Sequence, residues 1–362
     1  MLKKLWRKWG PNPLDFRLKR AAKKKIKNVL ITWNRGMGDV PLGMYALVFR
    51  IRQFIADIKI VFLVRGGLKN AFSFLEGVEV HEAEHWRRGC PFDLESTLEE
   101  MNMDSRSFDL ILENPDPTRW LKWQLGTLVP QLRFDAAHDM LADQFELKES
   151  NYIALHVHTE TQYGYEKNWQ TERWKELCER LIKEKGATIL LFGLSSTSDF
   201  KMERVIDLRG KTTLFEMLSL IKNRCTHLVA PDSGVLSLIY YLDVSFPLRI
   251  VSLWADPRQG VLKQNVSSPN VELQHVPLLG KEEKVENITV DEVMEALAID
   301  IVDPLLKRQR EALFKTENKP FACTPLQMWS TPSEKNNGHA LLRQGKVGCL
   351  VLAGGQGSRL GT

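Results

Sequence analysis

The sequence predicts an α/β protein: two Rossmann-like domains facing across a cleft, with a C-terminal extension. Three observations predict it. Short β-branched apolar runs alternate with helical periodicities, the pattern of parallel strands covered on both faces. This alternation occurs in two separate series, and 362 residues exceed what one core usually holds. Glycine-bearing loops follow the strands, where open α/β sheets place their ligands.

In the first series Val29–Trp33, Lys59–Val64 and Phe108–Glu113 read as buried strands, with a helix over Pro41–Phe54. The second begins with the strand Tyr152–Val157. A helix from Thr171 follows, whose Trp174, Leu177, Cys178, Leu181 and Ile182 recur at helical spacing. Then come a strand at Thr188–Phe192, a helix over Thr213–Asn223, a strand at Thr226–Ala230, a helix after Gly234 and a strand at Arg249–Trp254. The polar stretch Glu146–Asn151 marks the junction, giving domains at 28–148 and 149–303. Beyond them, Leu305–Lys315 reads as a basic helix, 304–337 as helix and linker, and Val347–Ala353 as a strand running into a Gly-rich loop. Residues 338–362 therefore look like the truncated start of a further domain.

Composition narrows the class. With 43% hydrophobic and 26% charged residues the chain is ordinary globular material. No apolar run reaches membrane-helix length, and the five cysteines are scattered without metal-ligand spacing, which points to a reducing cytoplasm and no metal site. The formal net charge of +5 conceals an asymmetry. Residues 1–28 hold eleven Lys or Arg and one acid, Asp15, leaving −5 on the remainder. Leu2, Leu5, Trp6, Trp9, Leu14, Phe16 and Leu18 are interleaved with those cations. Residues 1–27 thus read either as an arm for an anionic membrane surface or as a solvated terminus; nothing else in the chain supports nucleic acid.

Four motifs carry possible chemistry. Gly36-Met37-Gly38-Asp39 follows the first strand; its glycines allow close backbone approach, and Asp39 is either a helix N-cap or a cleft carboxylate acting as general base. Asp232-Ser233-Gly234 ends a strand and opens a helix, exposing N–H groups to an anion or simply capping the turn. Lys167-Asn168-Trp169 offers a point charge for a phosphate and an indole that packs the loop or stacks on a base. Leu352-Ala353-Gly354-Gly355-Gln356-Gly357-Ser358-Arg359 combines glycines with an arginine suited to phosphates.

Taken with Asp207-Leu208-Arg209-Gly210-Lys211-Thr212-Thr213-Leu214, the first three motifs resemble glycosyltransferase family 9, the heptosyltransferase-like enzymes, over roughly residues 27–300. The resemblance implies the GT-B arrangement. It also implies inverting, metal-independent transfer of a sugar from a nucleotide-sugar donor to a glycan or lipid-linked acceptor, without a cofactor. Carried over by position, Asp39 would be the base, and Lys167, Ser233 and Gly234 would hold the donor diphosphate. Gly36, Gly38, Trp169 and Asp232 would line the cleft. One position departs from the family pattern: D-S-G-x-x-H ends here in Ser237. The fourth motif is similar to the opening loop of UTP-dependent sugar-1-phosphate uridylyltransferases, with Gly354, Gly355, Gly357 and Arg359 as its phosphate loop. Two other readings stand beside glycosyl transfer: the N-terminal portion of such a uridylyltransferase, and a degenerate nucleotide-sugar binding module.

Overall fold

The computed structural model describes residues 12–147, 152–161, 166–193 and 199–298, and the backbone of 352–353 and 356–357. The chain divides into two compact units, Met1–Asp300 and Ile301–Thr362.

The first unit contains two sheets, and every strand pairing in them is parallel. The first sheet uses β1 (Asn28–Trp33), β2 (Lys59–Arg65), β3 (Val78–Ala83) and β4 (Leu110–Glu113) in the order β3-β2-β1-β4. In the second, β5 (Tyr152–His156), β6 (Ile189–Phe192), β7 (Val205–Asp207), β8 (Cys225–Pro231), β9 (Leu248–Trp254) and β10 (Leu273–Leu279) run β10-β9-β8-β5-β6-β7. That is the doubly wound 3-2-1-4-5-6 order read from the other edge, and the first sheet repeats its first four strands. Strand order therefore reverses beside β1 and β4 in one sheet and beside β5 and β8 in the other. The crevice at each reversal opens at the carboxyl ends of those strands, where the loops 34–39, 157–161 and 232–234 begin.

The central strands β1, β2, β5, β6, β8 and β9 are almost continuously buried, as a sheet covered on both faces requires. Helix α1 (Pro13–Lys23) precedes β1, and α2 (Tyr45–Phe54) covers the first sheet. Further along come α3 (Leu94–Glu100), α4 (Thr171–Lys185), α5 (Leu214–Arg224), α6 (Gly234–Tyr240) and α7 (Val290–Ala298). The ends of these helices follow local chemistry. Gly186, left-handed at φ 59°, closes α4, while Thr213 and Glu216 form a reciprocal capping box on α5. One apolar cluster joins residues of both sheets, including Met44, Leu47 and Leu132 from the first half and Leu218, Tyr241 and Leu242 from the second.

Two local expectations are corrected. The helix expected over Pro41–Phe54 begins as a π-helical turn, Val40–Met44, and becomes α-helical only at Tyr45. Gly357, expected in an open loop, lies instead in a two-residue strand in which Gln356–Gly357 pairs antiparallel with Leu352–Ala353. Gly354, Gly355 and Arg359, the linker 304–337 and residues 1–11 of the arm lie outside the described residues.

Candidate functional site

The loop after β1 is stitched in place before any ligand is considered. Asn34, almost fully buried, donates its side-chain amide to the carbonyls of Arg87 and Cys90 at 3.3 and 2.7 Å, and its backbone N–H to Asn114 Oδ1 at 3.1 Å. Arg65, at the end of β2, donates to the Arg35 carbonyl at 3.0 Å. Asp39 occupies the cap position before the π turn, yet its carboxylate accepts no hydrogen bond from the helix. It turns back into its own loop and accepts the Gly36 N–H at 3.2 Å. The cap reading of Asp39 is therefore not what the geometry shows.

Burial of that carboxyl raises its pKa from 3.8 to about 6, against the opposing pull of the Gly36 N–H and the charges of Arg35, Arg88 and Lys167. A carboxylate poised near neutrality, ionised at pH 7 yet still basic, is suited to proton abstraction. The π turn behind it exposes the Leu42 carbonyl to two side-chain amides, Gln124 at 2.8 Å and Gln264 at 2.6 Å, the latter from the second half. Such turns recur at functional sites because they re-aim the residues beside them.

Opposite lies the turn from β8 into α6. Ser233 caps α6, its Oγ accepting the Leu236 N–H at 3.1 Å. Gly234 packs directly on the first loop: a methyl group there would meet Met37 Cε at 2.9 Å and the Gly38 nitrogen at 3.0 Å. A methyl group at Gly38 would in turn lie 3.3 Å from Gly234 Cα and 3.6 Å from Ser237 Oγ. The two glycine loops touch backbone to backbone, and Ser237, buried beneath them, donates to the Ser233 carbonyl at 3.1 Å.

Lys167 and Asp232 form an ion pair of 2.6 Å, with the lysine side chain 20% and the aspartate 8% exposed. Lys167 thus reaches the base of the 232–234 turn, and its charge acts on Asp39 across the two loops. Gly260, at φ +49°, lies close enough to Asp232 and Trp254 that a methyl group would be 2.6 Å from each. Trp169 resolves toward packing: it is buried, donates to the Ile288 carbonyl at 2.9 Å and stands edge-on to Trp174 at 5.0 Å. It is not available to stack on a base. The Asp207–Leu214 motif is a self-bonded brace. Arg209 grips Asp207 through two bonds of 2.9 and 2.7 Å, and Lys211 donates to the Asp207 carbonyl at 2.8 Å.

Sequence reasoning missed a cationic group on the first side of this site. Arg88 pairs with Glu160, from the loop after β5, at 2.6 Å, and Arg65 approaches the same carboxylate at 3.6 Å. Arg65 was findable, since it ends a strand on the ligand side. Arg88 was not, because β3, which leads to it, was not read as a strand. Among the described residues, no three His, Cys, Asp or Glu side chains gather as metal ligands, and no helix is long and apolar enough to cross a membrane.

Residues 106–240 match Glycosyltransferase family 9 (heptosyltransferase). That span contains Lys167, Asp207–Leu214 and Asp232–Gly234 but not Asp39. Among solved structures, ADP-heptose lps heptosyltransferase II of E. coli matches with a TM-score of 0.50 at 17% identity, over 75% of this chain and 97% of that one. A glycosyl transferase family 9 structure from Veillonella parvula matches with a TM-score of 0.50 at 15% identity, over 75% and 95%. No curated protein matches the chain by sequence. The fold is thus that of the GT-B heptosyltransferases, two parallel-sheet domains, and with the family match it supports a glycosyltransferase. None of these matches supports the uridylyltransferase resemblance of residues 338–362.

Proposed function

We propose that the protein transfers a sugar, heptose-like, from a nucleotide-sugar donor to a hydroxyl of a glycan or lipid-linked acceptor, with inversion and without a metal ion. The observation that carries this is Asp39: a carboxyl raised to about 6 and held by the Gly36 N–H on a glycine loop whose Met37 and Gly38 pack against Gly234 of the other. In the reaction, the acceptor oxygen attacks the anomeric carbon while Asp39 takes its proton. A glycosidic bond forms, and the bond from the anomeric carbon to the β-phosphate oxygen breaks, its electron pair leaving on the nucleoside diphosphate. Lys167, steered by Asp232, would offset the charge growing on that leaving group, with the Ser233–Gly234 turn beside it. Because Gly234 is already covered by Gly38, the diphosphate must lie on the Lys167 side of the turn or the loops must part to admit it. Arg88 and Arg65, now paired with Glu160, would face the acceptor.

The test is to incubate the protein with ADP- and UDP-activated sugars and candidate glycans, following nucleoside diphosphate release and the acceptor's mass. The proposal expects release with one donor and an acceptor heavier by one sugar. Lys167→Ala should weaken donor use by at least tenfold, the ordinary value of a charge-assisted contact. Donor binding by calorimetry without turnover on any acceptor would favour a binding module instead.

A further inference from the structure

Helix α1 has two faces, and the fold uses one. Leu14, Leu18 and Ala21 are buried in the core of the first half. Asn12 caps the helix and donates to the Trp120 carbonyl at 2.6 Å, while Asp15 is gripped by Arg50 through bonds of 2.8 and 2.6 Å. The helix is therefore fixed, and Leu14 and Leu18, expected from sequence to meet a bilayer, are committed to the protein interior.

The outward face is different in kind. Phe16 is 70% exposed. Around and after it Arg17, Lys19, Arg20, Lys23, Lys24, Lys25 and Lys27 are all exposed, and Asp15 is the only acid between residues 12 and 27. Among the described residues none of these seven cations forms an ion pair; Arg17 lies over the Trp120 ring at 5.4 Å. We propose that this face docks the protein onto an anionic lipid surface, with Phe16 entering the headgroup–acyl boundary and the cations ranged along the headgroups. The exposed ring is what favours lipid: an aromatic on a convex helix gains nothing from a phosphate backbone but is stabilised in an apolar boundary. Charge complementarity points the same way: seven exposed cations stand on this face against one acid, which Arg50 already holds.

The test uses the full chain and vesicles of phosphatidylcholine with or without phosphatidylglycerol, read by co-sedimentation. Binding is expected only with phosphatidylglycerol, weakening as salt rises. The triple variant Lys19→Ala, Arg20→Ala, Lys23→Ala should lose roughly fivefold per cation removed. Phe16→Ala should bind more weakly, and its remaining binding should be fully reversed by salt. Thermal unfolding of both variants should match the parent, since none of these side chains packs in the core. The proposal is overturned if the protein stays in solution at low salt. It is equally overturned if binding survives both sets of substitutions and disappears only when residues 1–11 are removed, or if oligonucleotides bind while vesicles do not. The inference is independent of glycosyl transfer: Asp39→Asn protein should sediment like the parent.

Discussion

Asp39 concentrates the cost and the use of this site in one side chain. Its folded pKa, about 6, lies above its unfolded value of 3.8, so the folded state holds the proton more tightly. The stability this provides is present below pH 3.8 and is lost as pH rises to about 6; above that, the buried charge destabilises the fold by on the order of 1–3 kcal/mol. Asp39→Asn keeps an oxygen for the Gly36 N–H and removes the charge. It should therefore raise the unfolding midpoint at pH 7 to 8 while slowing transfer, and the gain should vanish below pH 4. Thermal melts across that range check it; an unchanged or lowered midpoint at pH 8 contradicts it. The same pKa predicts an acid limb near pH 6 in the pH dependence of kcat/KM for the parent enzyme.

At the scale of elements, close approach of two glycine loops sets the site. Gly234→Ala puts a methyl group 3.0 Å from the Gly38 nitrogen, a backbone atom that cannot rotate away. The loops must part, so transfer should fall at least tenfold with the far-ultraviolet spectrum unchanged. Thr213→Ala gives a contrast: losing the α5 capping box should cost about 1 kcal/mol of stability and leave the donor affinity untouched. Legibility in the sequence followed burial. β1, β2, β5, β6, β8 and β9 each hold a mostly apolar, buried run and were readable as strands. The four sheet edges are partly exposed: β4 was still readable from its Leu-Ile-Leu run, whereas β3 carries Glu79, His81 and Glu82, β7 has three residues, and β10 contains Pro277, which an edge tolerates. The π turn was invisible, since its residues suit an α-helix equally well.

Across the whole molecule, the sequence motifs fall where strand order reverses, and topology alone brings Asp39 to Lys167 and Asp232. Spacing could foretell that Gly36-Met37-Gly38-Asp39 and Asp232-Ser233-Gly234 follow strands. It could not foretell that they touch, nor that Arg88 and Glu160, 72 residues apart, would pair beside them. The second sheet also carries an acid sensitivity. His156, at the cleft end of β5, and His275 of β10, bonded to Ser252 of β9, are buried and their pKa values fall from 6.5 to about 4. Their contribution is complete above pH 6.5 and is lost as pH falls toward 4, so His275→Gln should blunt the acid destabilisation of the parent, measured by urea midpoints at pH 7 and pH 4.5.

The central claim is that Asp39 takes the acceptor's proton opposite a donor held from the other half. Its most direct measurement is the transfer rate of Asp39→Asn set beside calorimetric binding of the nucleoside diphosphate. The account predicts transfer reduced about 100- to 10,000-fold with nucleoside diphosphate affinity within a factor of two or so of the parent. Transfer within tenfold of the parent, or loss explained wholly by weaker nucleotide binding, would contradict it.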